Sequence, residues 1–358
     1  MYHVNAHSLS GMAFHVIITA AVCALALLAT GSALRAQSTI SMSYVTVGNP
    51  GNAADSATGS LYGSVSYSYD IGEYDVTDSQ YVTFLNDVDP TGANTLGLYM
   101  GVNDPEDGIA FNSGAANGSQ YSVMAGYANM PVVDETYFDA IRFVNWMNNG
   151  EGNASTETGA YTLLGGTPTP SNWETVTRNA GATVWLPSEN EWYKAAYYDP
   201  ANGTYSTYAT QSDTAPGNMV GNGANQANYE YYNGSQYLFS ATQSSSYNVD
   251  SNYLTPVGSF SGSASYYGTY DQSGDVYNWN DTLYDDQGDR VLHGGYWYDD
   301  NSLYLSSSIR YGDDPSSQGS NVGFRVGSIP EPNSPMLILA GVAGLALMRG
   351  KPLMARFH

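Results

Sequence analysis

The chain has 358 residues, a net charge of −23 and one cysteine, Cys23. Residues 37–329 carry 32 acidic side chains against six Lys and Arg residues, which argues against binding to nucleic acid or to anionic lipid head groups. A single cysteine excludes internal disulfides, so stability must come from core burial, with metal ions as the other available source.

The N-terminal residues 1–36 are typical of a secretory signal peptide. An apolar run from Met12 to Leu28 is followed by small residues, with cleavage expected near Ala33 or Ala36. The start of the run is only weakly basic, which leaves a short internal helix as the alternative. Because Cys23 lies within the run, the mature chain is expected to contain no thiol.

Residues 37–329 are predicted to form one domain, since no long Pro-rich or charged linker divides them. The chain contains 32 tyrosines and 39 glycines, which favours short strands and long irregular loops over a helical bundle.

Seven short patterns within this region predict regular structure, three of them helices and four of them strands. Capping-box spacing indicates helix starts at Thr77 with Gln80 and at Ser188 with Glu191. A third helix is indicated by apolar residues at helical spacing, Tyr137, Ile141 and Val144. Strands are predicted over residues 64–70, 183–186, 290–293 and 323–326.

The C-terminal residues 330–358 contain a second apolar segment. A helix is expected over 336–348, preceded by Pro330-Glu331-Pro332 and followed by basic residues. Its 13 residues are fewer than the roughly 17 to 25 of a relaxed membrane span. The tail resembles a PEP-CTERM sorting signal, which implies recognition and cleavage by an exosortase; a plain C-terminal anchor is the alternative. Either reading predicts a protein that is secreted or held at the cell envelope or outer surface, with membrane contact only through this tail.

Seven segments of the body carry recognisable motifs: YDIGEYDVTDSQYVTFLN (69–86), PVVDETYFDAIRFVNWMN (131–148), WLPSENEWYKAAYY (185–198), PVGSF (256–260), YDQSGDVYNWND (270–281), RVLHGGYW (290–297) and NVGFRV (321–326). Together they resemble the formylglycine-generating enzyme family, also called the sulfatase-modifying factor family. They occur in the family's order over nearly the whole body. The resemblance implies an α+β fold, the family's variant of the C-type-lectin-like fold, with much irregular loop structure.

The same resemblance argues against the family's copper chemistry. The two copper-binding cysteines of catalytic members fall on Asp299 and Tyr304, and neither side chain supplies a thiolate for copper(I). Iron-dependent relatives need several histidines, but the body contains only His293, so neither copper nor iron is expected. His293 stands where the family usually has Arg, and a role at the end of a strand is favoured over catalysis.

Calcium is the cofactor that the resemblance does imply. The first family site would use Asp271, the carbonyls of Gly274 and Val276, and Asn278 in place of an acid. The second would begin at Asn228 and Tyr229 and include Asp250. Asparagine at position 278 is expected to weaken the first site.

Three hypotheses about function follow. The first is a non-enzymatic extracellular module that binds calcium and glycan or exopolysaccharide through tyrosines and acidic loops. The second is an enzyme that keeps the family cleft with altered chemistry, with His293 and Trp297 as cleft candidates beside the substituted positions 299 and 304. The third is a scaffold without a ligand.

Overall fold

The computed structural model describes residues 39–101 and 104–330. The signal peptide expected over 1–36 and the apolar helix expected over 336–348 lie outside these ranges. Within them, no helix combines the length and apolar character needed to cross a membrane.

The described residues form three α-helices, each of which begins at a capping box. They are α1 (Asp78–Val88), α2 (Tyr137–Asn148) and α3 (Glu189–Tyr197). At the start of α1 the Thr77 hydroxyl accepts from the Gln80 N–H, and at α3 the Ser188 hydroxyl accepts from the Glu191 N–H. All three predicted helices are therefore confirmed, and the capping boxes explain where they start.

Fourteen short strands accompany the helices in the described residues. They are β1 (Tyr44–Val47), β2 (Tyr69–Gly72), β3 (Ile109–Phe111), β4 (Tyr121–Val123), β5 (Val184–Trp185), β6 (Tyr198–Asp199), β7 (Thr204–Tyr205), β8 (Tyr231–Tyr232), β9 (Tyr237–Leu238), β10 (Tyr277–Leu283), β11 (Arg290–His293), β12 (Tyr311–Asp313), β13 (Val322–Gly323) and β14 (Gly327–Ser328). The first four-stranded sheet has the order β1-β2-β14-β5, and the second has the order β12-β11-β10-β13. The remaining strands form three two-stranded ribbons. This is the α+β architecture that the sequence predicts.

Two predicted strands differ from the structure. Most of 64–70 is not strand, because Val65 bonds to a loop instead: its N–H donates to Asn52 Oδ1 and its carbonyl accepts from Gly51. Of the predicted strand 323–326, only Gly323 is strand, because β13 ends there. The chain then crosses to the first sheet. On the way, the Phe324 and Val326 carbonyls accept from the N–H groups of Val76 and Gly72.

The main core packs α1 and α2 against the second sheet through aromatic rings. Phe143 contacts Phe84 at 5.4 Å, Phe324 at 5.4 Å and Trp146 at 5.5 Å between ring centroids. The first ten residues of α2 are all buried, so this helix lies inside the domain instead of presenting one stripe to it. Such edge-on aromatic contacts add stability beyond the area that they bury.

Candidate functional site

Asp299 occupies a closed position instead of an open cleft. Its side chain is 6% exposed, and its Oδ2 accepts from the Tyr296 N–H at 2.9 Å and from the Tyr277 hydroxyl at 3.2 Å. Burial raises the pKa of Asp299 to about 7. An acid that accepts both bonds is held in place by the protein.

Tyr304, the other substituted position, lies in a short 3₁₀ helix, Ser302–Leu305. Its ring contacts Tyr311 at 6.2 Å, and Tyr311 in turn contacts Tyr277 at 5.6 Å. The structure thus joins Tyr304 to Asp299 through two tyrosine rings. Neither Asp299 nor Tyr304 provides the sulfur ligand that copper(I) prefers.

His293 is the last residue of β11 and points into the interior, where it is 2% exposed. Its Nε2 lies 3.0 Å from Glu189 Oε1, and its ring stacks on Trp192 with centroids 5.3 Å apart. Burial opposes ionisation of Glu189, but its contacts with His293 and Arg310 outweigh burial and lower its pKa. These contacts give His293 a structural role at the base of α3.

Trp297 belongs to an aromatic layer, defined as Phe239, Tyr247, Tyr253, Trp297 and Tyr298. Tyr253 stacks on Trp297 at 5.0 Å and 12°, and Tyr247 stacks on Tyr253 at 5.4 Å and 18°. Trp297 is buried, whereas Tyr247 and Tyr298 are 51% and 43% exposed. The layer therefore exposes two tyrosine rings to solvent, and they pack on the buried rings of Trp297 and Tyr253.

An acid borders this layer from beneath. The Glu106 carboxyl accepts from the Tyr253 N–H at 3.0 Å, and burial together with a hydrogen bond that its protonated form donates to Asp104 raises its pKa to about 8. The sequence pointed to Trp297 but not to its four companions, because Phe239, Tyr247 and Tyr253 come from an earlier segment and the adjacent Tyr298 carries no signal of its own. The abundance of tyrosine was the only signal for them.

The first predicted calcium loop is only partly suited to a cation. The Asn278 Oδ1 accepts from Trp192 Nε1 and from Arg325 Nε, each at 2.8 Å. Its Nδ2 donates to Asp75 Oδ1 at 2.8 Å. The Asn278 amide is thus committed to protein partners, one of them a cation, so it does not fit the role of a calcium ligand.

The remaining predicted ligands lie closer to one another than the sequence suggests. Asn228, assigned to the second site, forms a β-bridge with Gly274 of the first. The Asp271 Oδ1 and the Asn228 Oδ1 are both buried without a hydrogen-bond partner among the described residues. Burial raises the pKa of Asp271 to about 7. These two oxygens are the best available donors for a cation here, together with the carbonyls of Gly274 and Val276.

The other two residues assigned to the second site are not so placed. The Tyr229 hydroxyl donates to the Pro216 carbonyl, and its N–H donates to Ser240 Oγ. Asp250 lies in an exposed loop and makes no hydrogen bond to Asn228 or Tyr229. Within the ranges that the structure describes, no three His, Cys, Asp or Glu side chains are arranged to hold a metal ion.

A group of buried carboxyls, which we term the acidic cluster, was not anticipated from the sequence. It consists of Asp78, Asp107, Asp134 and Glu135, none of which forms an ion pair among the described residues. Both carboxylate oxygens of Asp78, one of Asp134 and one of Glu135 are buried and have no hydrogen-bond partner within residues 39–101 and 104–330. Burial and the nearby Asp107 raise the pKa of Asp78 to about 9.

The sequence matches the family model described as "Sulfatase-modifying factor enzyme 1-like domain" over residues 36–328. The crystal structure of CarF is similar to this chain with a TM-score of 0.52 and 18% identity, covering 82% of this chain and 100% of that chain. No curated protein matches.

Two further solved structures are similar at lower scores. Treponema denticola variable protein 1 gives a TM-score of 0.48 at 19% identity, covering 82% of this chain and 98% of its own. PvdO from Pseudomonas aeruginosa gives 0.41 at 17% identity, covering 81% and 93%.

Proposed function

The chain belongs to the family of sulfatase-modifying factor enzyme 1-like domains, and from this premise we propose that it is an exported, non-enzymatic member that binds glycans. Its architecture is the formylglycine-generating-enzyme variant of the C-type-lectin-like fold. A shared fold does not carry a shared activity, so the proposal rests on the residues of the site.

The substituted positions support a non-enzymatic role. Asp299 and Tyr304 replace the two thiolates that the family's oxidation requires, and the Asp299 carboxylate is bound by Tyr277 and by the Tyr296 N–H. His293 is held between Glu189 and Trp192. The groups that could replace the lost chemistry are therefore used to stabilise the interior.

The aromatic layer is the observation that carries the glycan proposal. Tyr247 and Tyr298 expose about half of their surface, while Trp297 and Tyr253 fix the rings beneath them. Flat aromatic faces pack against the C–H faces of sugar rings, and their few rotatable bonds keep the entropic cost of binding low. Neutral or calcium-bridged polysaccharides suit a domain with this excess of acids.

Calcium is proposed as the accompanying ion, held by Asp271, Asn228 and the carbonyls of Gly274 and Val276. A hard cation accepts such mixed oxygen ligands in loops, and it would satisfy the two unpartnered buried oxygens. Because Asn278 is bound to Arg325, the site has fewer ligands than the family pattern implies. We therefore expect weak binding that stabilises this loop without taking part in chemistry.

Export is proposed from the two ends of the chain. The apolar run near the N-terminus would direct secretion, and the tail over 330–358 would be recognised by an exosortase that delivers the body to the envelope or the exopolysaccharide matrix. Cell fractionation with an antibody to the body tests this directly. Recovery of the protein only in the cytoplasm would contradict it.

The glycan proposal is tested with the full-length protein on a glycan array, with added calcium and with a chelator. We expect Tyr247→Ala and Tyr298→Ala each to weaken binding about tenfold, because each removes one exposed face. Tyr232→Ala is the matched control, since Tyr232 is equally exposed but lies outside the layer. Absence of binding under both conditions would remove the proposal.

An enzyme with altered chemistry is the second candidate, and the Asp299 carboxyl is the observation that favours it. A carboxyl with a pKa of about 7 beside a tyrosine hydroxyl is suited to proton transfer near neutral pH. Metal analysis of the purified protein discriminates the two candidates. A bound transition metal would favour the enzyme, whereas calcium alone would favour the binding module.

A further inference from the structure

A groove of about 480 Å³ lies at the β5 edge of the first sheet. Its walls include Tyr67, Arg178, Trp185 and Ile329, and Ser68 and the turn around Ala180 complete it. None of these residues belongs to the aromatic layer or to the positions that the family likeness singled out for chemistry or calcium. The volume lies within the range of about 300 to 1,000 Å³ that is usual for small-ligand sites.

The polar wall of the groove is fixed by a buried acid. The Arg178 guanidinium lies 4.7 Å above the Trp185 ring, and its Nη1 contacts both Glu191 carboxylate oxygens at 3.0 and 3.3 Å. The Tyr67 hydroxyl donates to Glu191 Oε1 at 2.6 Å. Glu191 is itself fixed, since its Oε2 accepts from the Ser188 N–H as part of the capping box of α3.

This arrangement orients two side chains before any ligand arrives. The Tyr67 ring is 43% exposed although its hydroxyl is bound, so its face is available while its position is fixed. Arg178 lines the same groove, its Nη2 donates to the Tyr67 hydroxyl at 3.3 Å, and its Nε–H has no acceptor among the described residues. Pre-oriented groups of this kind lose little entropy when they bind.

The charges around the groove decide the class of ligand. Glu191 neutralises Arg178, and the chain as a whole carries −23, so an anion would gain nothing from this site. An aromatic face with adjacent hydrogen-bond donors and hydroxyls matches the C–H face and the hydroxyl groups of a sugar ring. We propose that the groove is a binding site for a neutral carbohydrate of one or two sugar units, stacked on Tyr67 and hydrogen-bonded by Arg178.

The groove shares its class of ligand with the proposed function, but it uses different residues. Tyr67 and Trp185 pack with the cluster around Tyr69 and Ile71, whereas Trp297 packs with the cluster around Val133 and Phe239. Two sites on one domain allow two segments of a polysaccharide, or two chains, to be held at once. The apparent affinity for a long polymer then exceeds that for a short one.

The test uses the full-length protein and soluble neutral tetrasaccharides of glucose, galactose and mannose, titrated by calorimetry. We expect at least one of them to bind, and Tyr67→Ala to weaken that binding at least tenfold. Tyr67→Phe keeps the ring and loses only the hydroxyl contact, so it should stay within about threefold of the unchanged protein. Ala180→Trp, at an exposed position, should block the groove without disturbing the fold.

Two readouts separate this site from the aromatic layer. The NMR signal of the Arg178 Nε–H should move on titration of the unchanged protein, and it should move equally in Tyr298→Ala. Loss of binding in Tyr298→Ala with full binding in Tyr67→Ala and Ala180→Trp would overturn the groove and leave the proposed function intact. Failure of all three tetrasaccharides to bind the unchanged protein would also overturn the proposal that the groove binds a neutral carbohydrate.

Discussion

The side chains of Asp281 and Asp78 are both largely buried, yet only Asp281 faces a cation in the part of the chain that the structure describes. Asp281 lies 3.6 Å from Arg290 Nη1 and accepts from the hydroxyls of Tyr137 and Tyr161, each at 3.0 Å. Burial still raises its pKa, but only to about 6, whereas that of Asp78 rises to about 9. At similar burial, the partners decide whether the acid is ionised at neutral pH.

The same contrast separates two regions of the molecule. Asp75 pairs with Arg325 at 3.1 Å and Glu189 with Arg310 at 2.8 Å, around the second sheet and α3. The acidic cluster at the start of α1 has no such partner among the described residues. The first region is expected to depend on its ion pairs and the second on its bound protons, so each can be tested separately.

Arg325→Met should have the largest effect. It leaves Asp75 buried without its cation and removes a donor from Asn278, which should lower the free energy of unfolding by about 3–5 kcal/mol. Urea unfolding at pH 7, followed by circular dichroism, measures this. The double variant Asp75→Asn/Arg325→Met should recover part of the loss. A loss below 1 kcal/mol for the single variant would contradict the importance of the pair.

Asp78→Asn should act in the opposite direction and only at high pH. The folded state holds the proton on Asp78 more tightly than the unfolded state, so its contribution is full below about pH 4 and is lost as pH rises towards 9. Removing the titration should flatten the pH dependence of the free energy of unfolding by up to about 1.4 kcal/mol per pH unit in that window.

The measurement is a set of urea unfolding curves between pH 5 and 9. Near pH 9 the variant should be more stable than the unchanged chain by about 1–3 kcal/mol, because its neutral amide avoids the cost of a buried charge and does not repel Asp107. Asp70→Asn is the control, since Asp70 is partly exposed and bonded to Thr46. If the free energy of unfolding depends on pH in the same way for Asp78→Asn and for the unchanged chain, Asp78 does not bind its proton more tightly in the folded state.

Arg310→Gln should have the smallest effect of the three. Arg310 is 24% exposed, and Glu189 keeps His293 as a partner, so the expected loss is about 0.5–1.5 kcal/mol. Thermal unfolding at low and high salt checks it, because the partly exposed pair should weaken as salt increases. A loss as large as that of Arg325→Met would show that the contribution of an ion pair to the free energy of unfolding does not fall with its exposure.

Local sequence signals predicted the helices well but the interior poorly. Thr77 and Ser188 define the starts of α1 and α3 through bonds to residues three positions on. The strand β10 was missed, because its sequence YNWNDTL alternates with asparagines that suggest a loop, and yet Asn278 and Asn280 are fully buried. The partners of the Asn278 side chain, Trp192, Arg325 and Asp75, are distant in the chain, and no local pattern can reveal them.

The acidic cluster and the groove illustrate the same limit. An acid in the first turn of a helix, as Asp78 is, ordinarily faces solvent and the helix dipole. Here the chain around Gly108 covers it, with a Cβ at Gly108 falling 1.9 Å from Asp78 Oδ2. The family likeness gave the order of the segments and the substituted positions 299 and 304, but it could not show which side chains would meet.

The strand β14 has a consequence for how the chain acquires its structure. Gly327 and Ser328 pair with β2 on one side and with β5 on the other, so the last strand described is an inner strand of the first sheet. A ribosome delivers these residues well after those of β2 and β5, between which they pair. Until they emerge, β2 and β5 have no strand between them, and Arg325 cannot reach Asp75 across 250 residues. The domain should therefore remain open to proteases and chaperones throughout its synthesis and close in one late step.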